Sequence, residues 1–236
     1  PPSSSETVVI PLRREVHPVH FKGKLVSFKT SYSGIIRVGS PKPQEFRAVF
    51  DTGSGHIILP SVKCMSEACI KKSRYNATQS TSAGRLHADG KRALFSSDEV
   101  TIGFGKGRVD GELGQDQVCL GVGARESCVN SGIVMATDMS SDPFEHFDFD
   151  AVFGLGLRGL TLSPTFSFLD NVVKKTPSRL GLFGVFLAEG DDEEESEITF
   201  GGHNPDRLLE PLTWVPLARP SLGYWQVEII GIYVND

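Results

Sequence analysis

The sequence has 236 residues and a formal net charge of −5, and 39% of its residues are hydrophobic. A chain of this length can bury about 70% of the surface that it exposes when unfolded, which is enough for one large domain or one and a half small ones. The mildly acidic charge, without a basic block, argues against a nucleic-acid partner, and no apolar run is long enough for a membrane span.

The N-terminal part of the sequence is interpreted as an extension. Residues 1–7 form a polar tail, and the apolar run after it, followed by charged residues, predicts an added hairpin over residues 8–29. His17 and His20 lie there, but no other ligand-type residues stand at metal spacing, so a surface or packing role is favoured over a metal site. No charged segment followed by an apolar one opens the chain, so any signal peptide is expected to have been removed.

Two apolar, β-rich runs, residues 44–50 and 57–59, predict strands on either side of a tight polar loop. A carboxylate held between buried strands is costly unless hydrogen bonds satisfy it. The loop offers two hydroxyl donors and a glycine that lets backbone N–H groups approach the carboxylate. Its residues are Asp51, Thr52, Gly53 and Ser54. The loop can therefore hold the Asp51 carboxylate in a satisfied, defined orientation.

The four cysteines fall in two local pairs, which suits two disulfides and an oxidising compartment. Cys64 and Cys69 have no second pair that would complete a zinc site, so a small disulfide-closed loop is favoured. Cys119 and Cys128 bracket a glycine-rich turn, across which a disulfide is plausible. Asn76 begins a glycosylation sequon, and a glycan and an unmodified surface turn are equally favoured there.

Residues 80–98 have little pattern and predict a loop, whereas residues 100–114 predict two strands that meet at a glycine-containing turn. The turn consists of Phe104, Gly105, Lys106 and Gly107. Its alternating glycines would suit a tip that bends, although an ordinary hairpin explains them too. A phosphate site is not favoured, because no helix pattern follows.

Residues 133–137 predict a buried strand, and residues 142–148 a turn rich in acids and aromatics. Four residues of that turn could in principle bind a metal, but their spacing matches no common site and a solvated loop is favoured: Asp142, Glu145, His146 and Asp148. Residues 149–157 predict a strand whose Gly154 and Gly156 allow close backbone approach.

The last third of the sequence predicts one helix and several strands. Ser163 and Pro164 give residues 163–173 the start of a short helix. Strands are predicted at 182–187 and 198–202, separated by an acidic run at 191–197 that is interpreted as a solvated turn. Two more apolar runs predict strands at 212–217 and 224–232.

The Asp51 loop between its apolar strands resembles the first active-site loop of pepsin-like aspartic proteases. Residues 32–39 resemble that family's N-terminal strand, 100–114 the flap that closes over substrate, and 149–157 the strand beneath the active-site loop. The resemblance covers about residues 30–236. It implies a mainly β, pepsin-like acid-protease fold of the double-psi β-barrel type. The implied parts are an extension at 1–29, an N-terminal lobe at 30–203 and the start of a C-terminal lobe at 204–236.

The sequence departs from the family at the flap. The family usually has a tyrosine at the position of Phe104, hydrogen-bonded to a tryptophan at the position of Ile58, and both residues are apolar here. The paired replacement is physically consistent, because losing only one partner would leave a buried polar group unpaired. Flap closure is expected to differ from that of the family. Ala151 also replaces a usual glycine, which is a mild change.

The family mechanism needs two carboxylates that face one water and share a proton. Asp51 supplies one, and the 236 residues contain no second apolar-apolar-Asp-Thr/Ser-Gly pattern. Three hypotheses follow. The chain is the N-terminal part of an endopeptidase that cleaves polypeptides, with its second aspartate on a missing C-terminal lobe or another subunit. It is a catalytically inactive subunit with a binding or structural role. Or two copies pair their Asp51 loops.

The resemblance implies no cofactor and no catalytic metal. It also implies a location in the secretory pathway, outside the cell or in another oxidising lumenal compartment.

Overall fold

The computed structural model describes residues 7–123, 126–175, 181–189 and 194–234, and it is mainly β as the sequence predicts. The polar tail at 1–6 and residues 191–193 of the acidic run lie outside the described residues. The strands are β1 Val8–Phe21, β2 Lys24–Val38, β3 Gln44–Asp51, β4 Ile57–Pro60, β5 Gly84–Arg85, β6 Glu99–Phe104, β7 Gly107–Leu120, β8 Ser127–Met139, β9 Ala151–Gly154, β10 Phe183–Phe186 and β11 Ser196–Phe200.

The helices are few and short. They are α1 Glu67–Ile70, α2 Ser141–Phe144 and α3 Phe168–Lys175, with 3-10 turns at Ala77–Gln79, Arg158–Leu160, Pro164–Phe166, Pro205–Arg207 and Pro220–Leu222. Among the described residues, no helix is long and apolar enough to cross a bilayer.

The strands form one mixed sheet in the order β10-β11-β1-β2-β3-β9-β4-β8-β7-β5, with β6 paired to β7. β3 and β9 are parallel, as are β4 and β8, whereas the other pairs are antiparallel. A further pairing between β2 and β7 joins the two ends of the path from β2 through β3, β9, β4 and β8 to β7. β3 and β4, the strands on either side of the Asp51 loop, are therefore both part of this closed path.

Alternation along the strands divides the apolar side chains into two buried clusters. One cluster includes Ile36, Phe46 and Phe153. The other includes Ile58 and Phe144, with Phe104 packed against it. The two side chains that depart from the family pattern therefore share one apolar environment.

The N-terminal hairpin consists of β1 and β2, joined by a turn in which Lys22 (φ 50°) and Gly23 (φ 76°) are left-handed. The first residues of β1 pair with β11, and the rest of β1 pairs with β2. β2 continues through residue 30 without interruption, so the extension and the main sheet share a single strand.

Both cysteine pairs form disulfides, Cys64–Cys69 and Cys119–Cys128. The second links directly opposite positions of β7 and β8. Disulfides persist in oxidising compartments, which agrees with the expected class of location.

The helix predicted over 163–173 begins later, at Phe168, and residues 164–166 form a separate 3-10 turn. The hydroxyl that caps the N-terminus of the helix belongs to Ser167, whose Oγ accepts a hydrogen bond from Asp170 N at 3.3 Å. Ser163 Oγ is buried and has no hydrogen-bond partner among the described residues. The prediction placed the cap one turn too early.

The strands predicted at 212–217 and 224–232 are absent, because no described segment forms a ladder with either run. A β-prone sequence becomes a strand only when it has a partner. Most apolar side chains of these runs are exposed, with Trp214 75% and Ile230 98% accessible. Trp225, which is 39% accessible, does make specific contacts: its Nε1 donates to Leu155 O at 2.8 Å and its ring contacts Phe183.

Gly154, at the end of β9, provides a test of how closely β9 packs against the loop that follows Asp51. A Cβ built there would lie 2.5 Å from His56 N and 2.7 Å from His56 O, both of them backbone atoms. We expect Gly154→Ala to destabilise the fold by about 1–3 kcal/mol, because the loop after Asp51 would have to move. Urea unfolding measures the loss.

Gly103→Ala in β6 is the matched control, since no atom lies within 4 Å of its Cβ position. It should change the free energy of unfolding by less than about 0.5 kcal/mol. Equal effects of the two substitutions would contradict the close approach at Gly154.

Candidate active site

Asp51 is the last residue of β3, and the loop that follows it is fixed to the end of β9 by three backbone hydrogen bonds. Leu155 N donates to Asp51 O at 2.7 Å, and Gly156 N donates to Ser54 O at 2.7 Å. Gly154 N donates to His56 O at 3.0 Å. The loop is therefore held along its whole length by residues about one hundred positions later in the chain.

The Asp51 carboxylate accepts a hydrogen bond at Oδ1 from Gly53 N, at 2.9 Å. The expected hydroxyl donors do not bond to it among the described residues. Thr52 is exposed, and Ser54 Oγ is buried without a hydrogen-bond partner. Asp51 is only partly buried and borders a cavity, so water can reach its other oxygen. The glycine of the loop thus supplies the donor, as the sequence analysis expected, whereas the hydroxyls do not.

The cavity next to Asp51 has a volume of about 460 Å³ and is mostly apolar. Asp51 and Thr52 form part of its lining, and Phe104 of the flap forms another part. The remaining wall combines aliphatic side chains with five aromatic ones, which are Tyr32, Phe50, Phe144, Phe147 and Phe149. The sequence analysis missed this wall, although three phenylalanines within six residues were a signal for it.

The two glycines of the flap meet different needs. Gly105 has a φ of 54°, which the tight turn between β6 and β7 requires. A Cβ on Gly107 would lie 2.4 Å from Asp142 O, so this glycine lets the tip of the flap pack closely against α2. Lys106 is exposed at the tip. The spacing of the glycines therefore reflects one turn and one close contact.

Phe104 packs edge to face on Phe144, with ring centroids 5.6 Å apart. Ile58 is fully buried in the same apolar cluster. Because neither side chain has a polar atom, this arrangement leaves no hydrogen-bonding group unpaired. The flap is held here by apolar packing.

The other predicted site residues lie elsewhere. Asn76 precedes the 3-10 turn Ala77–Gln79, and its Oδ1 accepts hydrogen bonds from Thr78 N and Thr78 Oγ1. Neither disulfide lines the cavity. Glu145 forms an ion pair with Lys71, and the hydrogen bond from Lys71 lowers the pKa of Glu145. The glycan at Asn76 stays a prediction.

His56 lies directly behind the active-site loop, and the sequence analysis did not single it out. Its ring is buried, contacts Phe166 and accepts a hydrogen bond at Nε2 from Leu162 N at 3.1 Å. Burial lowers the pKa of His56 to about 4. The imidazole is therefore neutral at neutral pH, and protonation at Nε2 would remove this acceptor.

Comparison with known proteins gives one family. The model of eukaryotic aspartyl proteases matches residues 31–236. The chain is 31% identical to cathepsin E of Cavia porcellus over 87% of this chain and 48% of that protein. It is 32% identical to pregnancy-associated glycoprotein 2 of Sus scrofa over 84% of this chain and 43% of that protein. It is also 32% identical to pepsin A-5 of Mus musculus, over 86% and 48% respectively. The chain spans about half the length of the curated relatives it matches.

The low pKa of His56 predicts a specific loss of stability in acid. The unfolded chain binds a proton at His56 near pH 6.5, whereas the folded chain does so only near pH 4. The contribution is therefore intact above pH 6.5 and falls by about 3 kcal/mol as the pH drops to 4. His56→Gln keeps an acceptor near Nε2 but does not titrate. We expect its urea midpoint to fall less than that of the wild type between pH 7 and pH 4.5.

His146→Gln is the control, because His146 is exposed. It should retain the wild-type pH dependence. A His56→Gln variant that loses as much stability in acid as the wild type would contradict the role assigned to His56.

Proposed function

Because the chain belongs to the eukaryotic aspartyl protease family, we propose that it is part of an aspartic endopeptidase in which Asp51 is one of two catalytic carboxylates. One observation carries the proposal. The Asp51 carboxylate, oriented by Gly53 N–H on a loop fixed to the end of β9, borders a large apolar cavity beneath the flap. This is the placement that a carboxylate needs to act on a polypeptide lying under that hairpin.

In the proposed reaction, Asp51 and a second carboxylate share one proton around a bound water. The ionised carboxylate removes a proton from the water as its oxygen attacks the peptide carbonyl carbon. The protonated carboxylate donates its proton to the carbonyl oxygen. Collapse of the tetrahedral intermediate then breaks the C–N bond: the leaving amine takes the proton that the first carboxylate removed from the water, and the second carboxylate recovers a proton from a hydroxyl of the intermediate. Gly53 N–H keeps the Asp51 carboxylate aimed at the water.

We place the second carboxylate on a C-terminal lobe or another subunit. The 236 residues contain no second Asp-Thr-Gly or Asp-Ser-Gly. The segment that follows β11 has apolar side chains without partners among the described residues, including Trp214, Ile230 and Tyr233. Strand partners on a second lobe would bury these side chains and complete the predicted ladders.

The substrate of the proposed enzyme is a polypeptide. The cavity beside Asp51 is lined by aromatic and aliphatic groups, so it suits a large apolar side chain next to the scissile bond. The two disulfides support action in the secretory pathway, outside the cell or in another oxidising lumenal compartment.

A second function is favoured by the flap. Phe104 and Ile58 hold the flap by apolar packing alone, without the hydrogen-bonded pair that the family usually has. A protein that keeps the groove but not a tuned flap would bind polypeptide segments without cleaving them. The alternative is therefore a catalytically inactive subunit with a binding or structural role in a larger assembly.

Asp51→Asn tests the proposed chemistry. The native mass is first measured on the protein isolated from its source, and the variant is then expressed at that same length. We expect cleavage of casein at acidic pH to fall at least about 1,000-fold, because the variant lacks one of the two carboxylates. A statine-type inhibitor should block the wild-type activity. Product formation measured by mass spectrometry gives the rate.

Asp89→Asn is the matched control, since Asp89 also precedes a glycine but is paired with Lys91 away from the cavity. It should keep the wild-type rate. A wild-type protein that binds the statine inhibitor yet cleaves nothing would favour the inactive subunit. An active monomer with a native mass near 25.7 kDa would contradict a second carboxylate outside this chain. An active dimer of that subunit mass would favour paired Asp51 loops.

A further inference from the structure

Three ligand-type side chains, two of them on β1 and one about 130 positions later, come together on the outer side of the cavity wall. Glu15 and His17 lie two residues apart on β1 and therefore on the same face of the strand. Asp148 comes from the segment after α2. One ligand atom from each of the three residues lies within 4.8 Å of the other two. Local spacing along the sequence gave no indication of this group, because Asp148 is distant from β1.

Glu15 supplies the independent reason to look for a ligand. Its side chain is only 5% exposed, and neither carboxylate oxygen has a hydrogen bond among the described residues. Oε1 lies 3.1 Å from Arg13 Nε, but the Arg13 side chain is 61% exposed and approaches from one side. Among the described residues, Glu15 forms no ion pair with any cation other than Arg13. A buried carboxylate in this state is costly without further compensation.

His17 is held in place by its neighbours. Its ring meets Phe147 edge to face, with centroids 5.4 Å apart, and its Nε2 lies 3.5 Å from Ser31 Oγ. Contacts of this kind fix the orientation of an imidazole before it binds a metal ion. The half-buried ring can therefore act as a ligand at little cost in side-chain order.

Lys72 is the nearby cation that competes with this interpretation. Its Nζ donates to Phe147 O at 2.8 Å and to Phe149 O at 2.7 Å, so two of its three N–H groups are used by backbone carbonyls. Asp150, Asp148 and Glu15 oppose the lowering of the pKa of Lys72 that burial causes. Lys72 forms no hydrogen bond with Glu15 among the described residues. The positive charge of Lys72 therefore offsets part of the negative charge of Glu15 and Asp148 from a distance, but Lys72 does not take the place of a bound ion.

We propose that Glu15, His17 and Asp148 bind a divalent first-row transition-metal ion of the zinc type. One imidazole nitrogen and two carboxylate oxygens are zinc ligands, and three protein ligands leave a fourth position for water. Bonds of about 2.0–2.2 Å bring tetrahedral ligands to roughly 3.5 Å from one another, so the ligand atoms, which lie within 4.8 Å of one another, need to approach by at most about 1.3 Å. Calcium prefers six to eight oxygens and fits this group poorly.

The proposed ion has a structural role. It would join β1 to the segment that carries Phe147 and Phe149, two residues of the cavity wall. Bound metal would therefore stiffen this wall against the N-terminal hairpin. The inference does not depend on the proposed proteolysis, because none of the three ligands lines the cavity.

Zinc binding to the full 236-residue chain, stripped with EDTA and desalted, tests the proposal. We expect isothermal titration calorimetry at pH 7 to give one zinc ion per chain, and zinc to raise the melting temperature. Asp148→Asn and His17→Gln should each weaken zinc binding at least about 10-fold, as loss of even an outer-shell partner does in known sites. Glu15→Gln should do the same. A tenfold excess of calcium should not compete.

His146→Gln is the matched control, because His146 is an exposed imidazole two residues before Asp148. It should bind zinc as the wild type does. Asp148 is itself exposed, so Asp148→Asn should fold normally, which circular dichroism would verify. The proposal fails if the wild type binds no zinc below 1 mM, which would leave Arg13 and Lys72 to neutralise Glu15. It also fails if Asp148→Asn and His17→Gln bind as tightly as the wild type.

Discussion

The contact between the Asp51 loop and the end of β9 is the constraint on which the rest of the structure depends. Three backbone hydrogen bonds and the parallel pairing of β3 with β9 fix the loop. The contact is so close that Gly154 has no room for a side chain. With the backbone fixed in this way, the carboxylate needs only one donor, Gly53 N–H, to take a defined orientation. The cavity and the flap are arranged around this fixed point.

The flap is held by apolar packing between two side chains of one cluster, Phe104 and Ile58. A polar side chain at only one of these positions would leave a buried donor or acceptor without a partner, at a cost of about 1–3 kcal/mol. The mechanics of the flap then depend on how Phe104 packs against Phe144, which is not directional in the way that a hydrogen bond is.

The sequence predicted those features that depend on neighbouring residues. The strand–loop–strand at Asp51, the hairpin with Gly105 at its tip and the two disulfides all follow local patterns, and the mainly β class follows from the many short apolar runs that predict strands. The start of α3 was misplaced because Ser163 and Ser167 have the same capping chemistry, and tertiary packing decides between them. The two strands predicted after residue 211 were wrong, since apolar alternation does not supply a partner strand.

Features that require distant residues to meet were not predictable from local spacing. The apolar wall of the cavity, the low pKa of His56 and the group of Glu15, His17 and Asp148 all depend on which elements pack together. The pairing of β3 with β9 has the same character, since it joins residues about one hundred positions apart. Closing so long a stretch of chain is entropically expensive and therefore slow. During synthesis, the Asp51 loop has to wait for β9 to emerge from the ribosome, so its hydrogen-bonded geometry is completed late.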